Sequence, residues 1–203
     1  MIIRPLEARD HAVCENVARE AFWNVYRPGC VEHLIVRRLQ NDACAESRLF
    51  FVAEKGDAVV GLVMAAKGLL TWPCGSVTEH LCAGPLAVLP KYQRQGVGGA
   101  LMERFLSEAG RLGWESVVLT GSPAYYARFG FVPAARHGIF LRGHSPAEEL
   151  PYFMAKELTG EQKPWYGGFY EDPAAYVVLP EEADAFDAAF PPKEKRKLPG
   201  QLF

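Results

Sequence analysis

No apolar run in this 203-residue chain reaches the length of a membrane span, and the opening MIIRPLEARD carries charge too early for a secretory leader. Cysteine is scarce and badly placed for cross-linking. Cys14, Cys30, Cys44, Cys74 and Cys82 are odd in number, confined to the first half and never spaced CxxC, which argues against a disulfide framework and against a zinc site. Excess charge of either sign is also lacking. Lys plus Arg number 22 against 24 Asp plus Glu, a net charge of -2, so the broad basic face of a nucleic-acid binder is not expected. What is present is a globular mixture, 49% apolar and 23% charged, which excludes a disordered chain and can bury a sizeable core. The expectation is a cytoplasmic protein with no membrane, nucleic-acid or metal partner.

The pattern of apolar residues orders the chain. Residues 2–7 read as a first strand, and Asp10 is placed to cap a helix over 11–22. Pro28-Gly29 breaks the chain before a second helix over 31–40. Leu49–Glu54 and Ala58–Ala66 form a hairpin about Gly56-Asp57, and Thr78–Val88 is a third strand interrupted by Gly84-Pro85. Gly98–Leu112 is the best helix, with Leu101, Met102, Phe105, Leu106 and Ala109 on one face and Gly113 as its stop. A buried strand over 116–120, a short helix from Pro123 to Phe129, and strands at 139–141 and 152–157 follow. Residues 181–190 are acidic and helix-like, and the last thirteen, rich in Pro and Lys, read as a solvated tail. The order predicts an α/β protein with a mixed sheet covered by helices on both faces.

The chemistry concentrates in QRQGVGGA, residues 93–100, between a strand and the strongest helix. Glycines let a backbone approach a ligand closely, free N–H groups at a helix start bind phosphate oxygens, and Arg94 adds charge-assisted bonds. Gly96, Gly98 and Gly99 lack the spacing of a dinucleotide fingerprint, and no P-loop lysine follows.

The segment LAVLPKYQRQGVGGALM, residues 86–102, resembles the acyl-coenzyme A motif of the GNAT superfamily of N-acetyltransferases, with Gln93, Gly96 and Gly98 at the Q/R-x-x-G-x-G/A positions. YARFGF, residues 126–131, is similar to the Y-x-x-x-G-F element of the same superfamily, and GPLAV with GSPAYYARFGF looks most like a bacterial branch of predicted acetyltransferases. The likeness covers residues 1 to about 135 and is faint beyond.

The resemblance implies an acyl-CoA N-acyltransferase fold, its central sheet splayed between the fourth and fifth strands with acetyl-CoA wedged in the gap. It implies that the backbone of Leu86, Ala87 and Val88 pairs with pantetheine, that the Val88 N–H stabilises the oxyanion, and that the N–H groups of 94–99 hold the pyrophosphate. Gln93, Arg94 and Gln95 would flank it, with Gly96, Val97, Gly98 and Gly99 forming the loop and Ser122 replacing an asparagine missing at Leu119. Tyr126 matches the tyrosine near the sulfur and is a general acid, with cofactor orientation or a core role as alternatives. No metal is required.

The base is open. Many members carry a glutamate where this chain has Cys82. His80 has a suitable unperturbed pKa, Glu79 is near, and water relay without a dedicated base or a group from the C-terminal segment are the other options. The implied reaction moves acetyl from acetyl-CoA to a primary amine, more readily a small molecule than a protein. A catalytically silent acyl-CoA-binding sensor or partner protein is the alternative. KPWYGGFYED, residues 163–172, offers Trp165, Tyr166, Phe169, Tyr170, Glu171 and Asp172 to a cationic amine, or simply closes the domain. One domain over 1–180 with a C-terminal helix and tail over 181–203 is expected, as a monomer or homodimer.

Overall fold

The computed structural model describes residues 1–159 and 167–201. Strand β1 is Ile2–Pro5, followed by helices α1, His11–Phe22, and α2, Glu32–Leu39. A meander of β2 (Phe51–Lys55), β3 (Ala58–Thr71) and β4 (Val77–Val88) leads into α3, Val97–Arg111. Next come β5 (Ser116–Thr120), the single-turn α4 (Pro123–Tyr126), β6 (Val132–Pro133), β7 (Ile139–Leu141), β8 (Phe153–Glu157), β9 (Gly168–Glu171) and α5 (Pro180–Asp187). The expected order of elements is found. Asp10 does precede α1, but its carboxylate makes no cap there and is taken by Arg4 at 2.6 and 2.9 Å and by the Glu7 N–H at 2.9 Å.

The sheet runs β1-β2-β3-β4-β5-β8-β6, with β9 on β3 and β7 on β9. Period-two alternation gives it two apolar faces. Val63 and Ala65 of β3 face Leu101, Met102 and Phe105 of α3, whereas Leu62, Met64 and Ala66 face Val17 and Ala18 of α1 and Ile35 and Val36 of α2. This is the α/β arrangement expected, one helix below and two above a mixed sheet.

Two irregularities in β4 shape the site. Its pairing with β3 shifts register between Val63 and Ala65, opposite Gly84-Pro85, where proline supplies no ladder donor. Its parallel pairing with β5 covers only Leu81↔Val117 and Cys82↔Val118, so the two strands part beyond Cys82.

The segment beyond residue 135 is woven into this sheet. β8 pairs with β5 from Ser116↔Glu157 to Thr120↔Phe153, and β9 pairs with β3 from Leu69↔Glu171 to Thr71↔Phe169. Phe153, Met154 and Tyr170 are buried with them. Truncation after residue 135 should therefore strip one edge of β5 and leave no cooperative melt. A soluble truncation melting as the full chain does would refute this.

Candidate acyl-CoA site

The N–H of Leu89 donates to Val60 O at 2.9 Å. Antiparallel alternation then turns the polar groups of Ala87 toward β3 and those of Leu86 and Val88 away, into the gap left by β5. The Gln93 side chain confirms the direction, since its Nε2 donates to Val88 O at 3.0 Å from the gap side. Of the three residues expected to pair with pantetheine, Leu86 and Val88 turn their backbone groups to the cleft, with Val88 O already accepting from Gln93. Ala87 does not, because its groups serve the β3 ladder and its side chain packs with α1 and α2.

The loop after β4 turns on Arg94 and Gly96, both left-handed at φ 59° and 84°. Gly96 is the N-cap of α3 and offers no side chain to its first turn, so the N–H groups of Val97, Gly98 and Gly99 stand ahead of the first helical bond, Ala100 N to Gly96 O at 3.0 Å. Nothing lies within 4 Å of where a Cβ would project from Gly96 or Gly99. At Gly98 a Cβ would stand 2.6 Å from the Tyr125 hydroxyl and 3.6 Å from Val88 Cγ2. Glycine there lets the tyrosine lie across the helix start.

A cleft of about 570 Å³ opens between these parts, lined by Leu86, Val88, Gln93, Arg94, Gly96, Gly98 and Gly99 on one side and Ser122, Tyr125, Tyr126 and Arg128 on the other, with Tyr26 at one end. Its charged lining residues are two arginines and no carboxylate. Together with the helix start, this makes the cleft a receptor for a polyanion. Arg128 lies over the Tyr125 ring at 4.3 Å and donates to Tyr125 O at 2.8 Å.

Tyr126 is half-buried, edge-on to Tyr125 with ring centres 4.9 Å apart and to Phe131 at 5.8 Å. Gly121 is what allows this, because a Cβ there would overlap the ring. Burial raises the Tyr126 phenol well above its ordinary range, and the neighbouring Tyr125, Tyr26 and Cys82 groups add to the rise. The side chain is thus a neutral proton donor at any ordinary pH.

Other expected residues are elsewhere. The side chain of Val97, the first residue of α3, lies in the core, so that residue offers the cleft only its N–H, and Gln95 turns outward to donate to Lys91 O at 2.8 Å. His80 is off the cleft. It is buried on β4, shares a hydrogen bond of 3.1 Å with Ser116 Oγ and meets the Tyr170 ring, and burial pushes its imidazole down to about 4. A histidine so enclosed is poorly placed to take a proton from an acceptor, which corrects the expectation drawn from its unperturbed pKa. Glu79 is exposed and paired with Lys67 at 3.1 Å.

Cys82 is buried where β4 and β5 separate, its thiol pushed up to about 12 by burial, with Asp172, Tyr170 and Tyr176 acting on it. Tyr170 reaches it across β3 because Gly68 has no Cβ to block the ring. The Tyr176 hydroxyl donates to Gly84 O. Asp172, at the surface beside this group, has its carboxyl held above the usual range by desolvation, partly offset by the Tyr170 hydroxyl. Of the aromatic and acidic residues expected to meet the acceptor, Trp165 and Tyr166 lie outside the described residues.

Tyr26, Tyr125 and Arg128 are cleft residues that the sequence analysis does not single out. Arg128 sits inside the YARFGF element and is legible there as a cation beside the glycine loop. Tyr26 has no local signal.

A helix start and two arginines facing a gap in a mixed α/β sheet define a binding site for a polyanionic ligand. Residues 46–133 match the family model described as an acetyltransferase (GNAT) domain. The uncharacterized N-acetyltransferase YjhQ of Escherichia coli K12 is 33% identical over 128 residues, 63% of this chain and 70% of that one. Among solved structures, the chain is similar to the Escherichia coli GNAT family N-acetyltransferase YhbS in complex with CoA, at TM-score 0.74 and 25% identity over 88% of this chain and 92% of that one. It is also similar to a GNAT family acetyltransferase from Brucella melitensis in complex with acetyl-CoA, at TM-score 0.66 and 28% identity over 86% and 97%. The chain belongs to the GNAT superfamily of acetyltransferases.

Proposed function

We propose that the protein transfers an acetyl group from acetyl-CoA to a primary amine by direct attack in a ternary complex. The observation that carries this is the β4 edge at Leu86 and Val88, turned away from β3 and left by β5, lying in one cleft with the start of α3 and Tyr126. Two similar structures, those of YhbS and the Brucella melitensis protein, hold CoA and acetyl-CoA respectively.

In this reading the N–H groups of Val97, Gly98 and Gly99 and the Arg94 guanidinium hold the pyrophosphate. Gln93 either keeps Val88 O occupied or yields it to the pantetheine amide. The Val88 N–H faces the thioester oxygen and stabilises charge as the amine attacks. Tyr126 protonates the departing sulfur. Supporting direct transfer, Cys82 is buried with a thiol at about 12, too protonated to serve as an acyl-accepting nucleophile. The ammonium proton of the acceptor leaves through water or to Asp172, the carboxylate beside Cys82 that the C-terminal segment supplies. The small-molecule acceptor and the site of action, the cytoplasm, belong to the same proposal.

Calorimetric titration with acetyl-CoA and a thiol-release screen over alkylamines, arylalkylamines, polyamines, amino acids and a lysine peptide test it. Binding followed by amine-dependent thiol release is expected. Binding with no release from any amine favours the silent acyl-CoA sensor, and no binding refutes both readings.

Gly98→Glu probes the loop. Its carboxylate would sit on the helix start, where it satisfies the same N–H groups that phosphate needs, and it would displace the Tyr125 hydroxyl. Acetyl-CoA affinity should fall by about 100-fold or more with the fold intact, since loss of phosphate contacts worth about 3 kcal/mol has that effect. Unchanged affinity by calorimetry would remove the pyrophosphate from this position.

A further inference from the structure

The residues after α5 do not trail into solvent as their composition predicts. They run back over the end of α1 and the connection to α2, and they are fastened chiefly through one residue, Asn24. Its backbone is left-handed at φ 60°. Asn24 N donates to Gly29 O and Gly29 N donates to Asn24 Oδ1, each at 2.8 Å, which closes the loop 24–29.

The same side chain holds the C-terminal segment. Arg196 N donates to Asn24 Oδ1 and Asn24 Nδ2 donates to Glu194 O, both at 3.0 Å, and Gln201 Nε2 donates to Asn24 O at 2.9 Å. Neighbouring contacts reinforce the strap. Trp23 Nε1 donates to Glu194 O at 3.0 Å, Lys193 pairs with Glu20 at 2.9 Å, and the buried Arg19 donates to Pro191 O at 2.9 Å.

The loop so held carries Tyr26, which rests against Phe22 with ring centres 6.0 Å apart and lines the cleft that also holds Val88 and Tyr126. Tyr26 is the cleft residue contributed by the chain ahead of the central meander. It stands on the loop between α1 and α2, outside the strands, so its position depends on the loop and on what clamps the loop.

We propose that Asn24 is a positioning residue through which the C-terminal strap, residues 190–201, sets Tyr26 at the end of the acyl-CoA cleft, so that affinity for acetyl-CoA depends on a segment remote from the glycine loop. The inference rests on the cleft being the acyl-CoA site. Neither the strap nor Asn24 touches the reacting atoms. Their effect passes through Tyr26 alone.

A double-mutant cycle in the full chain tests this, with calorimetric acetyl-CoA affinity and the thermal melt as readouts. Asn24→Gly keeps the left-handed backbone available and removes the side-chain bonds to Glu194 and Arg196 together with the loop bond from Gly29, while Trp23→Phe acts on the strap and leaves the loop bonds in place. Asn24→Gly should weaken acetyl-CoA binding about five- to tenfold, as Tyr26→Ala should, and the two together should cost no more than Tyr26→Ala by itself. Trp23→Phe, which deletes one strap bond and keeps the aromatic packing, should weaken binding about two- to threefold. A structural role without positioning would lower the melt and leave affinity per folded molecule unchanged. Parental affinity in Asn24→Gly, or multiplied losses in the double variant, would overturn the proposal. Should Asn24→Gly fail to fold, parental affinity in Trp23→Phe overturns it in the same way. Failure of the parent protein to bind acetyl-CoA would instead refute the reading of the cleft.

Discussion

Tyr126→Phe should lower the single-turnover rate of acetyl transfer by about 10²–10⁴-fold while leaving acetyl-CoA affinity nearly unchanged. As the amine attacks, negative charge passes from the carbonyl oxygen to the leaving sulfur. A neutral phenol beside that sulfur supplies a proton as the bond breaks, and losing it raises the barrier by about 2.7–5.5 kcal/mol. Burial keeps the Tyr126 phenol neutral at ordinary pH, so its proton is in place when the sulfur departs, while the same desolvation makes it a weaker acid than a free tyrosine.

The one-atom change separates three roles. Loss of rate alone marks a proton donor, and loss of rate with affinity marks an orienting hydroxyl. A lower melting temperature with normal turnover of the folded fraction marks a packing role, which the contacts to Tyr125 and Phe131 would explain. A folded variant with parental single-turnover rate would end the general-acid reading.

The second large effect is acid lability from two buried histidines. His33 and His80 are each pushed down to about 4, chiefly by burial, from an ordinary value of 6.5. His33 is wholly enclosed, 3.3 Å from Asp187, with Arg19 adding a like charge and Phe186 and Phe190 against its ring. The folded pKa lies below the unfolded one, so the unfolded chain takes up these protons first as pH falls. Their contribution is therefore complete above pH ~6.5 and is lost as pH drops toward ~4. By pH 5 each should have cost about 2 kcal/mol, ahead of most carboxylates.

Urea unfolding at pH 7.5, 6 and 5 measures this. His80→Gln, which keeps a partner for Ser116, should flatten the loss by about one histidine's share, and the same substitution at His33 should remove the rest. An equal drop in parent and variants would show that the imidazoles are not its source.

The placement of His80 shows why the base was the hardest assignment. An isolated histidine near neutral pH looks suited to proton transfer, and alternation along β4 sets it on the same face as Cys82. Alternation gives a face and not a depth. The depth comes from Tyr170, a residue ninety positions later on β9, whose ring crosses β3 over Gly68 and closes above β4. Gln93 and Gln95 make the same point at short range, since each turned to a backbone acceptor, Val88 O and Lys91 O, that no pattern of residue types reveals.

The sequence by itself determined the features whose causes are local. The apolar stripe of α3, the glycine opening it, the Gly56-Asp57 hairpin and the proline that interrupts β4 each depend on residues within a few positions of one another. That was enough for the sheet, the glycine loop and the place of Tyr126. Tertiary structure alone decided which backbone groups stay free, how deep a polar side chain lies and which distant segments meet. Leu86 and Val88 are open because β5 leaves β4 after Cys82, and Tyr26 joins the cleft because a loop between two helices is held from 170 residues away by Glu194. A Lys- and Pro-rich terminus has no apolar period to announce its docking. Its partners are Arg19, Glu20, Trp23 and Asn24 around the end of α1, and their match is set by the positions the whole fold imposes.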